Sequence, residues 1–287
     1  MLDRQSTVLG TVYPPYCQIR IMAEVNELSD AEKAFLQPYL PSATKDLHDL
    51  PFVTLTYAQS MDSMISLGPG LRTTLSGPET KSMTHYLRLH HDAILIGATT
   101  AEADAPGLNS RYPGAKLERQ PRPVIVDPRR RWDVSSSKVL QLAKDGLGKG
   151  PWILSLPSTA NAEGDIKIAG GQNLAIQPAA GIVSPSNDSN TRFDWLHILK
   201  QLKQNGINSV MVEGGATVIS TLLSTPELVD SVIVTIAPTW LGDGGVLVAP
   251  AGKQARGERV NAARLQDTVW RQFGGDAVLC GQLQQNS

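Results

Sequence analysis

No segment dictates more of the fold than Val210-Met211-Val212-Glu213-Gly214-Gly215-Ala216-Thr217. Three apolar residues run into an acid, two glycines follow, and Ala-Thr-Val-Ile-Ser begins a new periodicity. A buried strand stops, the chain turns without hindrance from Cβ, and a helix starts. The first N–H groups of a helix have no partner inside it and sit at the positive end of its dipole, so such a turn accepts an anion such as a phosphate. Glu213 falls at the carboxyl end of the strand, where open α/β sheets place their ligands. The segment predicts an α/β protein with a phosphate-bearing ligand and a polar group held beside it.

The same alternation recurs along the chain. Residues 52–58, 93–97, 123–127, 152–156, 209–212 and 228–237 read as strands rich in Val, Ile and Leu. Residues 78–91, 135–144, 193–204 and 217–223 read as helices, the first opened by a capping box in Ser76-Gly77-Pro78-Glu79. Residues 265–273 and 276–283 alternate around Gly274-Gly275 as a closing hairpin. The pattern predicts a mixed sheet, mostly parallel, with an antiparallel C-terminal edge and helices on both faces. Residues 157–190 are rich in Gly, Ala, Asn and Ser and predict long loops, with room for short strands at 174–177 and 181–183. Residues 1–48 read as an N-terminal extension with one short capped surface helix at 29–36, ahead of a single domain over 49–287.

Bulk properties narrow the function. The chain has 287 residues, of which 41% are hydrophobic and 18% charged, and its net charge is −1. That balance argues for a globular protein and against a general nucleic-acid binder. Cys17 and Cys280 form no C-x-x-C pair and no H-x-E partner occurs, so neither a cysteine zinc site nor a zinc deaminase centre is expected. Two distant cysteines point to a reducing compartment, the cytoplasm. No apolar run reaches the ~18 residues needed to span a bilayer, and the first residues lack a signal-peptide core.

Several polar groups stand where loops and strand ends would gather them. On the 78–91 helix, Met83, Tyr86, Leu87 and His90 share an inward face, while Lys81, His85 and Arg88 share the other. That second face is either a solvated basic patch or a means for Arg88 to grip a phosphate with its forked donors. Thr100 and Asp104, four apart, occupy one side of a helical turn, offer a hydroxyl and a carboxylate, and precede Pro106 and Arg111. Asp62 follows the first strand as either a turn-forming or a functional acid. Arg129-Arg130-Arg131 follows another strand, as a solvated run or a clamp for a 2′-phosphate. No G-x-G-x-x-G fingerprint, P-loop or nucleophile elbow occurs. With no nucleophile and no metal set, a cofactor is expected to carry the hard chemistry.

Taken together, Pro51 to Ser63 with its Ser60-x-Asp62 turn, Arg72-Thr73-Thr74, Thr84 to Arg88, Asp92 to Arg111 and Asn208 to Thr217 resemble the riboflavin-biosynthesis reductases, a family with a dihydrofolate-reductase-like fold. The resemblance implies NADPH-dependent hydride transfer to a phosphorylated ribosylaminopyrimidine, giving a ribityl chain, by a homodimeric enzyme. It implies that Thr74, Thr100, Asp104, Gly214, Gly215, Ala216, Thr217 and Val218 hold NADPH. It assigns Arg88, Leu108, Arg111 and Glu213 to the substrate, and Asp62 and Glu213 to the neighbourhood of the chemistry. The family often reads Asp-Asn-Pro or Asp-Asp-Pro where this chain has Asp104-Ala105-Pro106. Bacterial relatives carry a fused deaminase whose zinc motif this chain lacks, so reduction without deamination is expected. Two other readings stay open: a non-catalytic nucleotide-binding protein of this fold, and a reductase of another heterocycle such as a pterin.

Overall fold

The computed structural model describes residues 25–42, 49–157, 164–177, 193–255 and 257–285. In chain order the elements are α1 (Asp30–Leu36), β1 (Phe52–Gln59), β2 (Met64–Ser66), α2 (Pro78–Arg88), β3 (Ala93–Gly97), α3 (Ala98–Asp104), β4 (Arg122–Val126), α4 (Lys138–Lys144), β5 (Trp152–Ser155), α5 (Gly164–Ile168) and β6 (Gln172–Ala175). Then come α6 (Trp195–Gln204), β7 (Ser209–Gly214), α7 (Ala216–Leu223), β8 (Ser231–Ile236), β9 (Val246–Leu247), β10 (Lys253–Ala255), β11 (Glu258–Val260), β12 (Leu265–Phe273) and β13 (Asp276–Leu283).

Nine strands form one sheet in the order β12-β13-β8-β1-β7-β3-β4-β5-β6. From β8 to β6 every pairing is parallel, and β13 and β12 close the other side as an antiparallel hairpin. The expected mixed sheet with its antiparallel C-terminal edge is the one found. Successive strand residues point to opposite faces, and both faces are covered. Val53, Leu55, Leu95, Val124, Val210 and Val212 pack under Ile198, Leu199 and Leu202 of α6 and Ile219 and Leu222 of α7. On the opposite face Met211, Ile233 and Val278 meet Met83 and Leu87 of α2, while Ile94, Ile96 and Ile125 meet Ala101 of α3 and Val139 of α4.

Helix α1 forms as its sequence dictates: Ser29 caps it and Glu32 reaches back, completing the capping box. Its Leu36, with Leu28, Tyr39 and Leu40, is buried in the same cluster as Met83, Leu87 and Phe273. The Tyr112 hydroxyl accepts the Leu28 N–H at 2.8 Å, and the Tyr39 hydroxyl donates to the Asp267 carbonyl at 2.8 Å.

Three expectations need correction. The capping box at Ser76 does not form. Gly77 is the N-cap of α2 and has no side chain, so the carboxylate of Asp276, carried in by the C-terminal hairpin, accepts from Gly77 N–H and Thr80 Oγ instead. The region expected to be looped contains α5 and β6, because Ile166 and Leu174 have core positions to fill beyond β5. Strand β6 overlaps the expected 174–177 strand, and the 181–183 strand lies outside the described residues. His85 is not on a solvated face: it is 6% exposed.

Candidate active site

The carboxyl ends of β1, β7 and β8 converge on a cavity of about 1040 Å³, at the upper end of the range for small-molecule sites. Thr56 to Ala58 from β1, Glu213 from β7 and Asp104 from the end of α3 line it. Arg88 and Lys81 of α2, Thr74 ahead of that helix, and Arg111 close the wall. The open-sheet rule that ligands sit beyond strand carboxyl ends is obeyed.

At its centre lies an ion pair. Arg88 donates Nε to Glu213 Oε1 at 2.8 Å and Nη2 to Oε2 at 2.6 Å, the fork-on-carboxylate geometry that only arginine offers. Its Nη1 donates to the Asn109 carbonyl at 2.9 Å. The side chains are 13% and 17% exposed, so solvent screens the pair little. Arg88 therefore joins α2 to the end of β7 and to the 109–111 loop before it touches any ligand.

Arg111 sits against His85. Its backbone N–H donates to His85 Nδ1 at 3.0 Å, and its Nη2 lies 3.1 Å from Nε2. Burial, then the charges of Arg88 and Arg111, push the imidazole down to about 3, so it is neutral at ordinary pH. Asp104 moves the other way: burial raises its carboxyl, with Arg72 opposing.

The Gly-Gly turn is built as the sequence predicts. Gly214 and Gly215 have φ of 105° and 89°, and Gly215 caps α7 with no side-chain acceptor. A Cβ on Gly215 would stand 2.7 Å from Thr100 Oγ1, so that hydroxyl lies directly over the turn. Gly97 faces Gly214 and Val218 in the same way, with a Cβ there 3.9 and 3.7 Å from them. The junctions β3–α3 and β7–α7 thus abut. Helix α7 starts without a side-chain cap, and its first-turn N–H groups, the two glycines and the Thr100 hydroxyl make a surface suited to a diphosphate.

The sequence-predicted residues fall into two neighbouring groups. Thr74, Asp104, Arg88, Arg111 and Glu213 share the cavity wall. Thr100 and residues 214–218 form the adjoining turn, next to Glu213 and outside that wall. Two side chains are placed otherwise. Leu108 is 1% exposed, packed with Ile94, Ile96 and Val139, so only its backbone can face a ligand; Asn109 takes the cavity position. Asp62 is not in the cavity wall. It accepts from Ser60 Oγ and from the N–H groups of Leu241 and Gly242, which hold its carboxyl down at about 2, and it ties the β1–β2 turn to the 241–242 loop.

Outside this wall, Asp127 is buried at the end of β4 and accepts from Trp132 N–H at 2.9 Å, and Arg130 donates to the Asn173 side chain. His85 and Asn109 are the residues that reading the sequence missed. The signal for His85 was present: it shares a face with Arg88, and that face meets the 109–111 loop and not solvent.

Comparison with known proteins gives the same site a lineage. Residues 51–279 match the RibD C-terminal domain. The chain is 41% identical over 251 residues to the 2,5-diamino-6-ribosylamino-4(3H)-pyrimidinone 5′-phosphate reductase of Saccharomyces cerevisiae, covering 87% of this chain and 94% of that one. It is 42% identical over 255 residues to the protein of that name from Eremothecium gossypii, covering 86% and 94%. Among solved structures it resembles the S. cerevisiae riboflavin biosynthesis reductase Rib7, with a TM-score of 0.71 and 37% identity over 89% of this chain and all of that one. Acinetobacter baumannii RibD, at 24% identity and a TM-score of 0.63 over 83% of this chain, shares the fold. Motifs, sheet topology and these relatives agree that the chain belongs to the RibD C-terminal domain family of riboflavin-biosynthesis reductases.

Proposed function

We propose that this protein is an NADPH-dependent oxidoreductase that reduces 2,5-diamino-6-ribosylamino-4(3H)-pyrimidinone 5′-phosphate to its ribitylamino product in riboflavin biosynthesis. The observation that carries the reading is the Arg88–Glu213 pair at the carboxyl end of β7, set between an uncapped Gly-Gly helix start and a cationic cavity wall. The names of the relatives supply the substrate.

When bound, NADPH supplies a hydride to C1′ of the ring-opened sugar. The protein's part is to hold and orient. The N–H groups of Ala216, Thr217 and Val218, with Gly214 and Gly215 beneath and Thr100 above, suit the diphosphate bridge. Thr74 and Asp104 bind the cofactor from the cavity side. Glu213, both oxygens fixed by Arg88, keeps lone pairs for substrate N–H or O–H groups in one orientation, which is how positioning lowers a barrier. Arg111 binds the 5′-phosphate. The backbone at Leu108 and the turn held by Asp62 frame the site. Two copies complete the reading: β12 ends the sheet among the described residues and exposes Val269 and Trp270, a surface a second chain would cover. Among those residues no helix is long and apolar enough to cross a membrane.

A turnover assay with both nicotinamide cofactors tests this. NADPH should be consumed only when the phosphorylated ribosylaminopyrimidine is present. Binding without consumption would return the non-catalytic reading, and faster turnover of a pterin would return the other.

A further inference from the structure

The two contacts between Arg111 and the His85 ring cannot both be hydrogen bonds, because a neutral imidazole has one acceptor nitrogen. The Arg111 backbone N–H donates to His85 Nδ1 at 3.0 Å, which makes that nitrogen the acceptor. A neutral imidazole then carries its proton on Nε2. Nε2 lies 3.1 Å from Arg111 Nη2, and a guanidinium has donors only. Two donors therefore meet in the cavity wall, on a backbone held in place by its neighbours. Ser110 Oγ donates to the His85 carbonyl at 2.6 Å, and the Gln120 side chain clasps Ser110 N–H and C=O at 2.7 and 2.9 Å. The loop backbone at Ser110 is thus pinned to α2 on one side and to Gln120 on the other. An acceptor set before both donors resolves the mismatch, and an anionic oxygen does so best.

Resting on the reading of this cavity as the site of a phosphorylated substrate, we propose that the Nε2–H of His85 is a direct donor to the substrate's phosphate monoester, sharing it with Arg111. A neutral donor has a reason to be here. Arg88 and Arg111 already place two cations beside the position, and a third would be repelled by them. An imidazole that is neutral before the ligand arrives adds a directed bond to the phosphate, and its acceptor Nδ1 fixes where the Arg111 backbone lies.

Two substitutions separate the ring's two jobs. His85→Asn keeps an acceptor near Nδ1 and deletes the donor at Nε2, whereas His85→Gln restores an N–H near Nε2. With His85→Asn, KM for the phosphorylated substrate should rise about 10- to 100-fold, the range of one hydrogen bond to a charged group. KM for the dephosphorylated nucleoside and Kd for NADPH should stay put, and His85→Gln should recover most of the loss. An equal rise for both substrates, a shift in NADPH affinity, or no recovery with glutamine would overturn the proposal. So would a ¹⁵N NMR spectrum of the protein with its proton on His85 Nδ1. Arg111→Ala distinguishes the two levels of failure. If it discriminates between phosphate and nucleoside while His85→Asn does not, His85 alone is misassigned. If neither discriminates, the phosphate does not sit here.

Discussion

Arg88 and Arg111 look interchangeable as phosphate ligands in the sequence, and the structure separates them. Arg88 spends three donors on Glu213 and the Asn109 carbonyl, and Arg111 stands at the cavity wall beside His85. Arg111→Ala is therefore expected to raise KM for the substrate with little change in kcat. Arg88→Ala should lower kcat as well and cost up to about 3 kcal/mol of stability, because Glu213 is left half-buried without its partner. Steady-state kinetics and denaturant melts on both variants decide this; identical kinetic profiles would show the ion pair to be incidental. Ala105 offers a second test. It ends α3 in the left-handed region at φ 41°, ψ 52°, where a Cβ is strained and asparagine is better tolerated. Ala105→Asn should raise the melting temperature by about 2 °C, a stabilisation near 1 kcal/mol in a domain of this size. An unchanged or lower value would mean that Pro106, not the backbone angle, sets the cost.

Among the elements, the β7–α7 unit was legible because its residues have no alternative use: a β-branched run, an acid, two glycines and a helix former leave one local solution. Gly215→Ala tests it. The added methyl meets Thr100 Oγ1 at 2.7 Å in a backbone conformation unsuited to a side chain, so stability should fall by about 1–3 kcal/mol and NADPH affinity by more than tenfold in a fluorescence titration. Unaltered NADPH binding would place the cofactor elsewhere. What the sequence hid was long-range. Nothing near residue 77 announces that its cap is Asp276, 199 positions away. His85 looked solvent-facing because helical periodicity tells which residues share a face and not what covers it; the 109–111 loop does. Leu108 sits beside true cavity residues in sequence, yet its side chain enters the core at φ 52° while Asn109 points the other way. Helix α5 escaped and β6 was placed two residues late because a five-residue helix and a four-residue strand are too short to display a period.

Among the described residues burial lowers three histidines, His85, His90 and His91, and His85 and His91 move furthest. His91 is fully enclosed, donates Nδ1–H to the Leu87 carbonyl and accepts the Thr54 hydroxyl at Nε2, and is pushed down to about 4 by burial; His85 is at about 3 for the same first cause. Both fall below the unfolded value near 6.5. Protons therefore bind the unfolded chain first, so their contribution is complete above pH 6.5 and is lost as pH falls from there towards 4 and 3. Each histidine should remove about 1.4 kcal/mol per pH unit in that window. Melts from pH 7 to 4.5 should show the loss, and a smaller one in His91→Gln; a flat profile would mean the rings are protonated in the native state. The proposed reaction depends on a single geometry, a diphosphate over the start of α7 with a sugar phosphate across Glu213 from it. A crystal structure with NADP⁺ and the ribitylamino product bound measures both at once. It should place diphosphate oxygens within hydrogen-bond distance of the 215–218 N–H groups, and the product phosphate against Arg111. Density for the cofactor away from that turn, or a product phosphate pointing out of the cavity, would contradict it.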